Sequence, residues 1–287
     1  MKRLILELKK ISLIFISTLL VPCSTVFADN IPVCTPGLCT IKNFLATAIQ
    51  PVGQTLYMWG GGWNKEDLAA GETAMHIGVW PQWKEFFDSQ DSSYDFHNYA
   101  TIDKDSDTEI PIPEFVPLGL DCSGYRGWIL YNVFHSQDME EPGYVFLSGE
   151  MQNFIDNNWG IAINPEDIQD FRAGDIMAKP GHTYMVIGQC NDGSVVFTHS
   201  SPPGVHICGT VTPDGNEQSE AVELAAYYMK KYYPEYDKKF SYKGYIRDSD
   251  YLTQYTQFRW NTNDVMKDPD GYTKMTAKQI LKNLFSE

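Results

Sequence analysis

The sequence predicts an α+β fold, and three observations lead there. In the first half of the chain, apolar residues recur at helical spacing in IKNFLATAIQ (41–50), YRGWILYNVF (125–134) and MQNFIDNNW (151–159). From residue 174 the period changes to short, apolar, β-branched runs: GDIMAK, HTYMVIGQ and SVVFTHS. Asn191-Asp192-Gly193 lies between the last two and signals a hairpin. Helices followed by a run of strands, without strand–helix alternation, point to an antiparallel sheet rather than a doubly wound one.

Taken in order, residues 1–28 read as a secretory signal peptide. The first ten residues carry four basic side chains, ISLIFISTLLVP is a short apolar run, and Val26-Phe27-Ala28 has the small-x-small form of a cleavage site. Pro22 before Cys23 argues against a lipid-anchored alternative, and the run is too short for a membrane span of about 20 residues. No later segment is apolar enough to span a bilayer, so a secreted or cell-wall location is expected. Residues 29–287 then carry 18 basic and 36 acidic side chains, a formal charge of −18. Such an excess argues against nucleic acid as a partner, since its phosphates demand basic patches.

After the helix at 41–50, TLYMWGGGW forms an aromatic-glycine turn. Residues 64–117 are irregular, with a short helix at WPQWKEFFDSQ. The segment LDCSGYRGWILYN (120–132) opens an amphipathic helix at Cys122, with Asp121 as its N-cap. EQSEAVELAAYYMKKYY is a further helix. Its tyrosines, Tyr227, Tyr228, Tyr232 and Tyr233, suit packing on the domain better than a sugar-stacking face. GYIRDSDYLTQYTQFRW holds a strand or extended segment, and a closing helix starts near Thr276.

Five cysteines follow the signal segment: Cys34, Cys39, Cys122, Cys190 and Cys208. Cys34 and Cys39 could close a small loop, and Cys190 and Cys208 flank the hairpin and could pair. An odd count leaves at least one thiol free in a monomer, and this bookkeeping singles out Cys122. A helix N-terminus stabilises a thiolate through its unsatisfied N–H groups and dipole. The charge of Asp121 opposes that, so an activating base is needed, which in cysteine peptidases is a histidine oriented by a third polar group. The alternative for Cys122 is a packed structural cysteine.

Of six histidines, His76 and His97 fall in the irregular segment, His135 reads as a surface residue, and His206 lies beyond the hairpin in GVHICG. His182 and His199 bracket the hairpin. A four-residue loop at 189–192 sets His182 opposite His199. A two-residue turn at Asp192-Gly193 sets His199 opposite Val186, about 13 Å along the strand from His182. A bulge would adjust either register. His182 is the expected base and His199 its orienter, with a solvated strand-end histidine as the alternative for His199.

The order YMWGG, LDCSGY, GDIMAKPGHTYMVIG and VVFTHSSPPGV resembles the NlpC family of bacterial cell-wall cysteine peptidases. The match falls on Tyr57, Trp59, Gly60 and Gly61, on Asp121, Cys122, Ser123 and Gly124, on Gly174, Asp175 and His182, and on His199. The resemblance implies a papain-like fold, with the nucleophile at a helix N-terminus packed on an antiparallel β-sheet. It also implies a γ-D-glutamyl–diamino acid endopeptidase that cuts peptidoglycan stem peptides without a cofactor or metal. In that reading Cys122 is the nucleophile, His182 the general base and later acid, and His199 orients the imidazole. The Cys122 N–H helps hold the oxyanion. Tyr57 lies beside the thiol, and Asp121 and Ser123 border the subsite for the free amino end of the stem peptide.

The resemblance covers roughly residues 45–63 and 117–206. The peptidase domain is therefore expected over 29–210, with an insertion at about 64–117 that could roof the cleft. Residues 211–287 form a C-terminal extension packed on the same domain. Within the insertion, Asp103, Asp105, Asp107, Ile110 and Glu114 have the spacing of a calcium loop. Thr108 in place of the turn glycine, with Pro111 and Pro113, favours a solvated acidic loop instead. The rival enzyme reading is an N-acetylmuramoyl-L-alanine amidase or another acyl transfer using the same Cys–His pair. The rival from another class is a non-catalytic exported binding protein on the same fold.

Overall fold

A computed structural model of the chain describes residues 31–64, 69–99, 118–140 and 142–287. The signal-peptide reading and the acidic loop at Asp103–Glu114 lie outside the described residues. Among the described residues the fold is mixed α+β, with eight α-helices and a curled, mostly antiparallel sheet. None of those helices is long and apolar enough to cross a membrane.

The helices are α1 (Ile41–Ile49), α2 (Pro81–Ser89), α3 (Cys122–Phe134), α4 (Gln152–Asp156), α5 (Glu220–Tyr232), α6 (Pro234–Phe240), α7 (Asp250–Thr253) and α8 (Ala277–Leu284). Their starts follow local chemistry. Thr40, Asp121, Ser219 and Thr276 each accept a backbone N–H with the side chain, satisfying donors that the first helical turn leaves unpaired. Thr276 and Gln279 form a reciprocal capping box, and α8 starts where the sequence places it.

The strands are β1 (Leu56–Tyr57), β2 (Trp63–Asn64), β3 (Ala69–Ala70), β4 (Gly119–Leu120), β5 (Gly160–Ile163), β6 (Ile176–Lys179), β7 (His182–Gln189), β8 (Val195–Ser201), β9 (Gly204–Thr210), β10 (Ile246–Arg247) and β11 (Thr256–Trp260). The main sheet runs β4-β1-β9-β8-β7-β6-β11-β5, and β10 also pairs with β9. β1–β4 and β9–β10 are parallel, and the other pairs are antiparallel. β2 and β3 form a separate two-stranded ribbon.

Neither expected hairpin register is the one observed. Met185 pairs with Thr198 and Val186 with Phe197, and a bulge between Val186 and Gly188 moves the outer pairs to Gly188–Val196 and Gln189–Val195. Continued one step inward, this sets His199 beside Tyr184, two residues from His182 and on the same face of the sheet. The extra residue in β7 places the register between the two alternatives.

Helix α3 also departs from expectation. It is buried from Cys122 through Val133 and is therefore not amphipathic. Its inner side packs on β7 and β8, and its outer side is covered by the insertion. Trp83 of α2 meets Trp128 edge to face, with ring centroids 6.0 Å apart, and Glu72–Met75 packs against the same helix. A helix covered on both sides needs no polar stripe.

The C-terminal segment contributes to the sheet itself. β11 lies between β6 and β5, β10 extends β9, α5 packs on β9 and α8 on β7. Tyr228, Tyr232 and Tyr233 of the tyrosine-rich helix region are buried, whereas Tyr227 is exposed. All five described cysteines are free thiols. Cys190 and Cys208 belong to separate apolar clusters, so the pairing considered for them does not form, and neither does a Cys34–Cys39 loop.

Candidate functional site

Cys122 is the first residue of α3, directly after its cap. The Asp121 carboxylate accepts from Gly124 N at 2.7 Å and from the Ser123 hydroxyl at 2.9 Å. Trp63 Nε1 donates to that same hydroxyl at 3.1 Å, and Asp121 N donates to Gly61 O at 3.0 Å. The aromatic-glycine segment and the DCSG segment are thus one unit. Ser200 of β8 donates to Leu120 O at 2.6 Å, which ties the approach to α3 to the sheet.

The Cys122 thiol is buried and its sulfur lies 4.0 Å from Gly181 O, the carbonyl just before His182. Burial pushes the thiol up to about 12, and Asp121 adds to the shift. The Thr183 backbone and the Arg126 guanidinium act the other way. Burial raises Asp121 to about 6 against its hydrogen bonds from Gly124 and Ser123. Tyr57 is also buried, with its ring 5.0 Å from Phe96. Its hydroxyl is raised by burial and by the nearby Asp121 and Cys122. Tyr94 of the insertion donates to Tyr57 O at 2.6 Å. Expected site residues Tyr57, Asp121, Cys122 and Ser123 are therefore neighbours.

His182 Nε2 lies 2.9 Å from His199 Nδ1, so the structure brings the two expected histidines together despite their offset along the strands. His182 is half-buried and His199 fully buried. Burial lowers His182 to about 3, helped by Arg247 and Lys179. His199 is held well below the ordinary histidine range by burial, His206 and Arg247. Among the described residues no hydrogen bond joins Cys122 to His182. Burial thus favours the uncharged forms of the thiol and of both imidazoles. Three of the other histidines are engaged elsewhere: His76 with Asp138, His97 with Asp95 and His135 with Tyr144.

Four neighbours of these groups were not found from sequence. Arg126, one turn after Cys122, is fully buried and donates to the carbonyls of Phe146, Leu147, Ser148 and Glu150. Its i+4 spacing from Cys122 was the available signal. His206, set aside as lying beyond the hairpin, stands in β9 with its Nε2 3.4 Å from His199 Nε2. Cys208 Sγ lies 3.6 Å from the same nitrogen. The alternation of Val205 and Ile207 with His206 and Cys208 carried that strand signal. Arg247 of β10 places Nη2 3.2 Å from His206 Nε2 and 3.4 Å from His199 Nε2, and nothing local in the sequence announced it.

His199, His206 and Cys208 bring three ligand-type atoms within 4.8 Å of one another, as do Cys190, Asp192 and Glu220. In the first group the Arg247 guanidinium already faces both imidazole nitrogens. That group reads as a hydrogen-bonded cluster around a cationic side chain rather than as a set of metal ligands.

Asp175, of the GD segment, is buried and accepts from Arg172 N, Gln257 Nε2 and the Arg259 guanidinium at 2.7 to 3.1 Å. It holds β6 to β11 and does not reach the thiol. No family model matches the chain, and no curated protein or solved structure matches it either.

Proposed function

We propose that the chain is an exported cysteine endopeptidase of NlpC type, on a papain-like domain, that hydrolyses peptidoglycan stem peptides at the γ-D-glutamyl–diamino acid bond. One observation carries the reading. A cysteine at a capped helix start lies against the residue preceding His182, and His182 is itself hydrogen-bonded to His199. These are the parts of a nucleophile, base and orienter in sequence order.

In this mechanism His182 Nε2 is held by His199, and His182 Nδ1 is the atom left for the thiol. Nδ1 takes the Cys122 proton as sulfur attacks the peptide carbonyl. The Cys122 backbone N–H, at the positive end of α3, receives the developing oxyanion. The proton then passes to the leaving amine, and water hydrolyses the thioester with His182 again as base. Tyr57, Asp121 and Ser123 border the subsite for the stem peptide's amino end. Mass spectrometry of purified muropeptides incubated with residues 29–287, beside Cys122→Ala, tests the reading. Cleavage between D-glutamate and the diamino acid, lost in the variant, is expected. Sugar strands freed from intact stems would indicate the amidase instead.

A second reading, a binding protein on the same fold, is favoured by the buried thiol and by the lack of a Cys122–His182 hydrogen bond among the described residues. Failure of iodoacetamide to label Cys122 near neutral pH, together with intact muropeptides, would establish that reading.

A further inference from the structure

The nitrogen atoms around His199 specify where the protons sit. His206 Nδ1 lies 2.7 Å from Gly204 O. A carbonyl only accepts, so Nδ1 carries the proton and Nε2 of neutral His206 presents a lone pair. Arg247 Nη2 donates to that lone pair at 3.2 Å. The same Nη2 donates to His199 Nε2 at 3.4 Å, and a guanidinium nitrogen has only hydrogens to offer. His206 Nε2 also lies 3.4 Å from His199 Nε2, but its lone pair is already engaged by the shorter Arg247 contact. His199 Nε2 therefore accepts, which puts the proton of neutral His199 on Nδ1. That proton points at His182 Nε2, 2.9 Å away. His182 Nε2 accepts it, so the proton of neutral His182 lies on Nδ1.

We infer that Arg247, a residue of the C-terminal extension, is a positioning residue that sets the tautomers of the His182–His199 pair and keeps His182 Nδ1 protonated at rest. The inference rests on the cysteine-peptidase reading for its consequence: at rest His182 Nδ1 offers the thiol no lone pair. Base catalysis needs the opposite arrangement, with Nε2–H of both histidines. In the switch the His199 Nδ1 proton moves to His182 Nε2, one proton arrives at His199 Nε2, and one leaves His182 Nδ1, so charge is conserved. Arg247 must turn away from His199 Nε2 for this to occur, and His206 Nε2 and Cys208 Sγ are the acceptors then within reach.

The other polar and charged groups around His182 do not make this choice. Lys179 of β6 pairs with Asp250 at 3.6 Å. Tyr251 and Tyr255 present rings 5.8 and 6.2 Å from the imidazole. Cys122 lies beyond Gly181. Arg247 Nη1 also donates to Ile246 O at 2.7 Å, so the extension holds it in place as well as supplying it.

Long-range proton–nitrogen NMR of the imidazoles in the full mature chain reads the tautomers directly, with His182→Gln assigning the signals. His182 is expected as the Nδ1–H tautomer in the parent and as the Nε2–H tautomer in Arg247→Met. Cys122 alkylation by iodoacetamide at pH 7 is expected to rise about tenfold in Arg247→Met, the equivalent of one pKa unit. Arg247→Lys, which keeps a cationic donor, should stay within about threefold of the parent. An Nε2–H tautomer of His182 in the parent overturns the inference, whether or not any variant folds. So does an unchanged tautomer and alkylation rate in a folded Arg247→Met. A shifted tautomer without muropeptide cleavage removes the peptidase reading and leaves the role of Arg247 intact. Cleavage with no shift does the reverse.

Discussion

The backbone of Gly61 passes so close to Gly124 that a Cβ on Gly124 would stand 1.9 Å from the Gly61 carbonyl oxygen. The approach from the other side is almost as tight, since a Cβ on Gly62 would lie 2.7 Å from Gly124 Cα. The aromatic-glycine segment and the DCSG segment carry glycine because two chain segments touch there without room for a side chain. That contact fixes the start of α3 and with it the direction of the Cys122 thiol. Asp121 N donating to Gly61 O is part of the same junction.

Gly124→Ala should therefore cost about 3 kcal/mol, the upper part of the overpacking range, because the obstructing atom is backbone and not a flexible side chain. Chemical denaturation measures the loss. Cys122 labelling should change in the same variant, since the Cβ can be accommodated only by moving the first turn of α3. A Gly124→Ala chain with parental stability would remove this account of the motif.

Under the proposed peptidase reaction, His182→Ala should lower stem-peptide turnover on the order of 10²–10⁴-fold through the missing proton transfer. His199→Ala should lose less, because a positioned imidazole can still act once its support is gone. Both rates are compared with unfolding midpoints, so that a loss from destabilisation is separated from a loss of chemistry. Equal losses at unchanged stability would mean that His199 does more than orient.

The Asp175–Arg259 pair joins β6 to β11, two strands from the two ends of the expected domain division. Asp175 is almost fully buried, and Arg259 Nη2 is 2.8 Å from its carboxylate. Arg259→Met leaves that carboxylate without its cation, and a loss of about 3 kcal/mol is expected. The double variant Asp175→Asn with Arg259→Met should recover part of it. The thermal unfolding midpoints of the three chains test both statements.

Stability should fall on acidification below the ordinary histidine range. His182 and His206 are lowered to about 3 in the folded chain, whereas the unfolded chain titrates near 6.5. Above that value both states are neutral at these positions. As pH falls from about 6.5 toward 3 the unfolded state takes up more protons, and folding is progressively disfavoured. His206→Gln removes one of these groups and should flatten the slope of unfolding free energy against pH over that window. Burial is the dominant cause of both shifts, so added salt should change the slope little.

Much of the architecture is legible along the chain because it depends on local chemistry. The capped starts of α3 and α8 follow from Asp121 and Thr276, whose side chains need only reach a backbone N–H two or three residues on. The strands β6, β7 and β8 follow from short β-branched runs and a turn. The DCSG and aromatic-glycine segments mark residues that meet around Cys122. His182 follows the glycine whose carbonyl the thiol faces, whereas Asp175 of the GD segment is taken up by Arg259. The hairpin register is different, because one extra residue between Val186 and Gly188 moves every pair beyond it, and such a bulge carries no local signature. The burial of α3 on both sides was equally hidden, since Trp83 lies some forty residues away in a segment whose own composition reads as irregular.

The sequence by itself determined which residues are chemically equipped to act: a cysteine at a helix start, two histidines flanking a hairpin, and glycines where chains cross. Only the tertiary structure decided which nitrogen faces which donor. β9 brings His206 and Cys208 to His199, and β10 brings Arg247 from nearly fifty residues beyond His199. A hydrogen bond is set by a few tenths of an ångström and a direction. Those are fixed by long-range strand pairing and packing, which no short window of sequence contains.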